Sequence, residues 1–209
     1  MTLPNVAAVI PVGALEDAKS RLGRALDAEE RQDLTERLLR RTVETALGVE
    51  GLADVLVISP DREVIGLAAD LGARTLRQRS RGLNAGLREA RADVEAGGAE
   101  AMLVLPIDLA FISVERLADV LATLTRVHSR SAVVLVADRH GTGTNVLALR
   151  PPEVIEFCFG SDSRRSHRAA ALAAGATYTE LDGPLAFDID TPADLVLVES
   201  MSTEETVAG

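Results

Sequence analysis

Several residue types are scarce in this 209-residue chain, and each scarcity argues against a class of function. The single cysteine, Cys158, rules out an intramolecular disulfide and a zinc site built from cysteines. No apolar run approaches the roughly 18 residues of a membrane-spanning helix, so we predict no membrane partner. The opening residues lack the basic stretch of a signal peptide, which favours a cytoplasmic location.

Positive charge and aromatic rings are also scarce. The net charge is −10, whereas nucleic-acid binding depends on a basic face that neutralises phosphates. Aromatic residues make up only 2% of the chain, which leaves few platforms for stacking on bases. We therefore predict no nucleic-acid partner. The 47% apolar content suffices for one core, and we expect a single domain over residues 1–201 with a disordered tail over 202–209.

Lysine is the rarest charged residue. Among the 22 basic residues Lys19 is the single lysine, and it follows the first apolar run. Chance could place it there, but an ammonium group acts on phosphate as a compact point charge that a planar guanidinium does not replace. We interpret Lys19 as a phosphate-binding and catalytic residue.

Continuous apolar runs predict buried strands, and helical patterns lie between several of them. The predicted strands are Val6–Pro11, Val55–Ser59, Ala101–Leu105, Ala132–Val136 and Asn145–Leu149, and the predicted helices are Glu29–Leu47, Val64–Leu71, Leu83–Ala96 and Val114–Arg126. This alternation predicts an α/β protein with three α/β/α layers and a Rossmann-like, mostly parallel sheet. Ligands of such sheets bind at the carboxyl ends of the strands.

The pattern changes after residue 150. Ser163 is predicted to cap a helix that ends near Gly175, because serine favours the first position of a helix and glycine the residue after the last. A short run, Ala176–Leu181, follows before the acidic segment that begins at Leu185.

Three aspartates occupy positions that suit a metal ion. Asp108 comes just after a predicted strand, and Asp188 and Asp190 would share one face of an extended segment. Carboxylates that close repel each other unless a cation lies between them. In the alternative interpretation, Asp108 caps a turn, while Asp188 faces solvent and Asp190 caps the last helix. The metal hypothesis makes all three ligands of Mg²⁺.

Two loops are candidates for nucleotide binding. The first contains Gly13, Lys19 and Arg21 between a strand and a helix, where backbone N–H groups and cations could hold a triphosphate. The second contains Gly82 and Asn84 at the start of a helix. The amide of Asn84 suits ribose or base edges, although a helix cap is an equally good interpretation.

A further pair of loops is a candidate for binding a second anion. Thr144 ends the GTGT stretch before a predicted strand, and Gly160 and Ser163 lie at a predicted helix start beside Arg164 and Arg165. N–H groups, the helix dipole and guanidinium groups together favour an anion there. The two arginines could instead form a solvated face.

Three aspartates and one lysine suit nucleotidyl transfer. When a phosphate attacks the α-phosphorus of a nucleoside triphosphate, several anions come together. Mg²⁺ would neutralise them and the lysine would stabilise the leaving pyrophosphate. The attacking phosphate oxygen is already ionised, so no general base is required.

Six motifs in order resemble the guanylyltransferases of coenzyme F(420) biosynthesis, a deazaflavin pathway. They are AVIPV with AKSRL, RGLNAGL, LPIDL, GTGTN, FGSDS with a following histidine, and DIDTPADL, spread over about residues 6–198. This family is related to the molybdenum-cofactor nucleotidyltransferases. The resemblance implies a fold of the nucleotide-diphospho-sugar transferase type, with GTP and Mg²⁺ used on phosphoenolpyruvate, 2-phospho-L-lactate or 3-phosphoglycerate.

The resemblance also implies roles for single residues. By motif, Asp108, Asp188 and Asp190 match the metal carboxylates and Lys19 matches the lysine of the triphosphate loop. Three further positions, which match the residues that hold the phosphorylated acid, are Thr144, Gly160 and Ser163. Phosphoenolpyruvate is the first choice of acid, because a composition rich in alanine and arginine suggests a high-GC bacterium.

Other functions stay open at this point. A cytidylyl or molybdopterin-type transferase would share the fold, and a sugar-phosphate nucleotidyltransferase usually needs a longer chain. A catalytically inactive nucleotide-binding regulatory module belongs to a different class, but it would not need three aspartates and a lysine together. The sequence leaves room for a homo-oligomer.

Overall fold

A computed structural model describes residues 4–14, 27–189 and Asp194. Three predicted site residues, Lys19, Arg21 and Asp190, lie outside the described residues, as does the predicted tail over 202–209. The other predicted site residues can all be located in the fold.

One sheet of seven strands forms the middle layer. Its strands are β1 (Val6–Pro11), β2 (Leu52–Ser59), β3 (Arg74–Arg77), β4 (Ala101–Val104), β5 (Ala132–Ala137), β6 (Thr144–Arg150) and β7 (Thr177–Leu181). They lie side by side in the order β3-β2-β1-β4-β6-β5-β7. Only β6 pairs antiparallel with its neighbours, β4 and β5, while the other pairs are parallel. The predicted mostly parallel sheet is confirmed.

Helices cover both faces of this sheet. They are α1 (Ala28–Leu47), α2 (Arg62–Asp70), α3 (Leu83–Ala96), α4 (Val114–Arg126) and α5 (Ser163–Ala173), followed by a short 3-10 helix over Pro184–Ala186. One apolar cluster joins α1, α2 and α4 to one face of the sheet, and a second joins α3 and α5 to the other face. The predicted three layers are confirmed.

The continuous apolar runs follow from this double burial. In β1, Val6, Ala8 and Ile10 pack in the first cluster, whereas Ala7 and Val9 pack in the second. Successive side chains of a strand point to opposite faces, so a strand covered on both sides needs apolar residues at every position.

Two strands lie outside the five apolar runs. β3 is an edge strand with the sequence RTLR, and its Arg74 and Arg77 are exposed, so no continuous apolar run marks it. The short run Ala176–Leu181 contains β7, at the opposite edge. An edge strand has a neighbouring strand on one side only. Its side chains are therefore less buried, and fewer of them need to be apolar.

The cap of α5 differs from the prediction at one residue. Ser163 is the first helical residue and is buried, and the residue that precedes the helix is Asp162, in the left-handed conformation with φ 59°. The N–H of Arg164 bonds to the carbonyl of Thr142, 3.1 Å away, so the chain turns sharply into the helix. The predicted N-cap role of Ser163 is therefore wrong. Gly175, with φ 64°, follows the last turn as predicted.

Reversal of β6 brings its first residue to the carboxyl edge of the sheet. Gly13 follows the end of β1 and Asp108 follows the end of β4, while Thr144 begins β6 between β4 and β5. A strand start thereby joins a row of strand ends, where ligands of such sheets bind.

Two glycines within helices differ in how closely other atoms approach them. A Cβ on Gly86 of α3 would lie 2.6 Å from Cδ of Gln78, whose amide donates to the carbonyls of Ser80 (2.8 Å) and Gly82 (3.1 Å). A Cβ on Gly66 of α2 would meet no heavy atom within 4 Å.

We expect Gly66→Ala to stabilise the protein by about 0.5–1 kcal/mol, because alanine is the better helix former. Gly86→Ala gains the same propensity but displaces Gln78 and its hydrogen bonds, so we expect a net loss of roughly 1 kcal/mol. Urea denaturation of both variants measures the difference. Equal stabilisation by the two substitutions would contradict the close packing of Gln78 against Gly86.

Candidate active site

Two of the three predicted metal ligands lie on adjacent backbone segments. The N–H of Ile189 donates to the carbonyl of Asp108 at 2.9 Å, and Leu109 and Asp188 form an isolated antiparallel bridge. Segments 80 residues apart in the sequence are thus paired beside the end of β4. Both aspartates are partly buried. Among the described residues no group of three or more potential ligands could hold a metal, and the third predicted ligand, Asp190, lies outside them.

Helix α1 holds the Asp108 loop in place. Arg41 donates to the carbonyls of Leu109 (2.6 Å) and Ala110 (3.1 Å), and the Thr42 hydroxyl donates to the carbonyl of Ile107 (3.4 Å). Burial lowers the pKa of Arg41, while the nearby carboxylate of Asp108 acts in the opposite direction. Loop backbone at a sheet edge lacks ladder partners, so these bonds give the loop a defined position.

Asn84 connects the candidate nucleotide loop at Gly82 to the candidate acid-binding turn at Gly160. Its Nδ2 donates to the carbonyl of Phe159 and its Oδ1 accepts from the N–H of Phe159, each at 2.9 Å. Gly82, with φ 87°, precedes α3, and no side-chain hydrogen bond caps that helix start. The side chain of Asn84 therefore ties the start of α3 to the turn that contains Gly160. Neither predicted interpretation, a nucleotide contact or a helix cap, included this contact.

Thr144 and α5 meet through a buried histidine. Nδ1 of His167 lies 3.0 Å from the Thr144 hydroxyl, and Nε2 of His167 accepts from the N–H of Cys158 at 2.9 Å. Burial lowers the pKa of His167 to about 4. Phe159 packs edge-on against the imidazole, with ring centroids 4.8 Å apart. These contacts bring the predicted acid-binding residues Thr144, Gly160 and Ser163 into one region.

Asp138 shapes the loop that precedes Thr144. Its carboxylate accepts from the N–H of Thr142 at 2.8 Å and from the Thr142 hydroxyl at 3.3 Å. Burial acts to raise the pKa of Asp138, but hydrogen bonds from Gly143 and Thr142 outweigh it and lower that pKa. Gly143 passes close by, since a Cβ there would lie 2.7 Å from Oδ2 of Asp138.

Arg164 links this loop to the sheet. Its Nη1 donates to the carbonyl of Gly141 at 3.0 Å, and its Nε lies 2.7 Å from Oε1 of Glu180 on β7. Glu180 also accepts from the Tyr178 hydroxyl at 2.8 Å. Arg164 is thus held by two neighbours although its side chain is 38% exposed, and Arg165 is exposed as well.

The predicted triphosphate loop is described only at its start. Gly13 is exposed just after β1, and the N–H of Val12 before it donates to the carbonyl of Ile58 at 2.9 Å. Gly13 therefore lies at the carboxyl edge, as predicted. Lys19 and Arg21 lie outside the described residues.

Comparisons with known proteins identify the family of the chain. Residues 6–206 match the family described as guanylyl transferase CofC like. The chain belongs to this family. It is 44% identical over 197 residues to the phosphoenolpyruvate guanylyltransferase of Rubrobacter xylanophilus, covering 94% of each chain. It is 29% identical over 189 residues to the 2-phospho-L-lactate guanylyltransferase of Methanocaldococcus jannaschii, covering 90% of this chain and 79% of that protein.

A solved structure confirms the fold type. A nucleotidyl transferase from Methanothermobacter thermautotroptrophicus superposes with a TM-score of 0.66 at 16% identity, covering 96% of this chain and 99% of that one. At that identity the likeness shows the fold alone. A putative nucleotide-diphospho-sugar transferase from Desulfovibrio desulfuricans superposes with a TM-score of 0.74 at 15% identity, covering 92% of this chain and 85% of that one. Together with the mostly parallel sheet, it confirms the predicted fold of that type. In the described residues, no helix is long and apolar enough to cross a membrane.

Several residues of this candidate site carried no clear signal in the sequence. Arg41 looks like any surface arginine of an amphipathic helix, and His167 stands alone without the spacing of metal ligands. Asp138 precedes a glycine-rich turn, which is the one signal that could have identified it, since aspartate often bonds the backbone of a turn.

We expect Asn84→Ala to release the turn at Phe159. Loss of two hydrogen bonds should speed amide exchange in residues 157–160 by about tenfold or more. Hydrogen–deuterium exchange read by mass spectrometry measures this. Arg37→Ala, an exposed change on α1, is the control and should leave the exchange unchanged. Unaltered exchange in Asn84→Ala would contradict the connection.

We expect Arg41→Lys to destabilise the protein by roughly 1–3 kcal/mol, because one ammonium group does not reproduce the two bonds of the guanidinium. The control is Arg40→Lys on the same helix, where the side chain is 52% exposed and lies 3.9 Å from Glu44. That change should alter stability by under about 0.5 kcal/mol. Similar losses for both, measured by urea denaturation, would contradict the role of Arg41 in holding the Asp108 loop.

Proposed function

We propose that this protein transfers GMP from GTP to phosphoenolpyruvate and releases pyrophosphate, as a step in coenzyme F(420) biosynthesis. A phosphate oxygen of the acid attacks the α-phosphorus of GTP, forming a new P–O–P linkage. The bond between the α-phosphorus and the oxygen that bridges it to the β-phosphorus breaks, and pyrophosphate leaves. A protein that uses GTP in this way would work in the cytoplasm.

One observation carries this proposal: the start of α3 and the turn at Gly160 are joined at the carboxyl edge of the sheet. Asn84 bonds both backbone groups of Phe159, so a nucleotide held at Gly82 and an acid held at Gly160 would be neighbours. The reaction needs the two anions in contact, and holding them together supplies much of the rate enhancement. The family membership of the chain supports the same chemistry.

Phosphoenolpyruvate is preferred over 2-phospho-L-lactate by similarity. The relatives with the higher identities, at 44% and 43%, carry the name phosphoenolpyruvate guanylyltransferase. Relatives named for 2-phospho-L-lactate reach 29% and 32%. The cytidylyl and molybdopterin alternatives, and an inactive binding module, have no such support.

Mg²⁺ is the proposed cofactor. The chemistry of the donors fits it, because Asp108 and Asp188 supply hard carboxylate oxygens from paired segments and Mg²⁺ prefers oxygen ligands. Asp190 would complete the set. When bound, Mg²⁺ would offset the charge of the phosphates. Lys19 is proposed to stabilise the leaving pyrophosphate, and Gly13, Arg21 and Gly82 to hold the nucleotide.

A pyrophosphate-release assay tests the substrates. Each of GTP and CTP is offered with phosphoenolpyruvate, 2-phospho-L-lactate or 3-phosphoglycerate, with and without Mg²⁺. We expect release with GTP and phosphoenolpyruvate, lost on chelation with EDTA and restored by added Mg²⁺. Preference for CTP, or release without any acid, would overturn the proposal.

The metal assignment has its own test. We expect Asp188→Asn to lower kcat/KM by roughly 100-fold or more, since an amide is a weaker metal ligand than a carboxylate. Asp182→Asn, an exposed change in the same segment, should alter it by under about twofold. Partial rescue of Asp188→Asn by raised Mg²⁺ would support direct coordination, whereas full activity without added metal would defeat the assignment.

A further inference from the structure

His167 is a buried polar side chain that the proposed chemistry does not yet use. It has no exposed surface, it lies on the inner face of α5, and its ring is flanked by Phe159. Most polar groups with this burial are hydrogen-bonded, because an unpaired one costs free energy. Both ring nitrogens are indeed in contact, one with Cys158 and one with Thr144.

The contact with Cys158 determines where the imidazole proton lies. A backbone N–H can only donate, so Nε2 of His167 must accept and cannot carry a proton. The ring is therefore neutral with its proton on Nδ1, in agreement with its lowered pKa. Nδ1 in turn can only donate, and the Thr144 oxygen at 3.0 Å accepts.

This arrangement determines the direction of the Thr144 hydroxyl. A hydroxyl has one hydrogen, and an oxygen that accepts from His167 directs that hydrogen elsewhere. If Nδ1 lacked the proton, Thr144 would have to donate to it. Its hydrogen would then be turned away from the sheet edge and into the protein.

Resting on the proposed function, we propose that His167 is a positioning residue that holds the Thr144 hydroxyl as a hydrogen-bond donor to the phosphorylated acid. At neutral pH the oxygens of phosphate and carboxylate groups act as acceptors, so a residue that binds them must donate. Thr144 begins β6 at the carboxyl edge, where such an anion would lie. His167 thus selects for an acidic ligand without touching it.

Two amide variants separate the contacts of His167. In His167→Gln, the amide reaches the place of Nε2 and can still accept from Cys158, but the donor to Thr144 is lost. In His167→Asn, the amide lies at the place of Nδ1 and can still donate to Thr144, but the acceptor for Cys158 is lost.

We expect His167→Gln to raise the KM for the acid by about tenfold or more, as expected for one lost hydrogen bond to an anion. His167→Asn should raise it by under about threefold, and both should leave the KM for GTP within about twofold. Equal effects of the two variants, or equal effects on both substrates, would overturn the positioning role.

A double-mutant cycle with Thr144→Val tests the route through Thr144. Once the hydroxyl is absent, His167→Gln should add nothing to the KM for the acid. A further increase by the same factor as in the wild-type background would mean that His167 acts independently of Thr144, which overturns the inference.

Nuclear magnetic resonance provides a readout that needs neither turnover nor a folded variant, because it uses the wild-type chain. With ¹⁵N-labelled histidine in the wild-type chain, His167 at pH 7 should be neutral with its proton on Nδ1. A proton on Nε2, or a doubly protonated ring, would overturn the inference. Absence of pyrophosphate release from GTP with every acid would instead overturn the proposed function, while the spectrum still decides the state of His167.

Discussion

The reversed direction of β6 is the constraint on which the site depends. In an otherwise parallel sheet, only strand ends and the loops after them reach the carboxyl edge. Because β6 runs antiparallel between β4 and β5, its first residue also reaches that edge, after a tight turn shaped by Asp138. A strand start is better fixed than a loop, since ladder bonds hold its backbone. Thr144 owes its defined position to this reversal.

Around this edge, side chains from helices replace the missing backbone partners of the loops. Arg41 and Thr42 of α1 bind carbonyls after β4, Asn84 of α3 binds Phe159, and His167 of α5 binds Cys158. The apolar faces of these helices fix them against the sheet. A hydrogen bond from such a helix therefore restricts the motion of the loop that it contacts. Precise loops on a rigid scaffold are what transfer chemistry requires.

Much of this could be predicted because the signals are local. A strand buried on both faces needs an unbroken apolar run, and a carboxylate such as Asp108 just beyond it must lie at the edge. The edge strand β3 carries arginines and gives no such run, so it escaped prediction. Asn84 and His167 act through partners 75 and 9 residues away in the sequence, and no local pattern reports a bond that exists only once two elements have packed.

The two hydrogen bonds of Asn84 couple the loop before α3 to the turn at Phe159. Each Phe159 backbone group is held by a side chain from α3, so displacement of one loop strains the other. If these loops receive the two reactants, the first reactant to bind restrains both of them. The second then meets a surface whose conformational entropy is already reduced, which favours synergy between ligands that never need to touch a common residue.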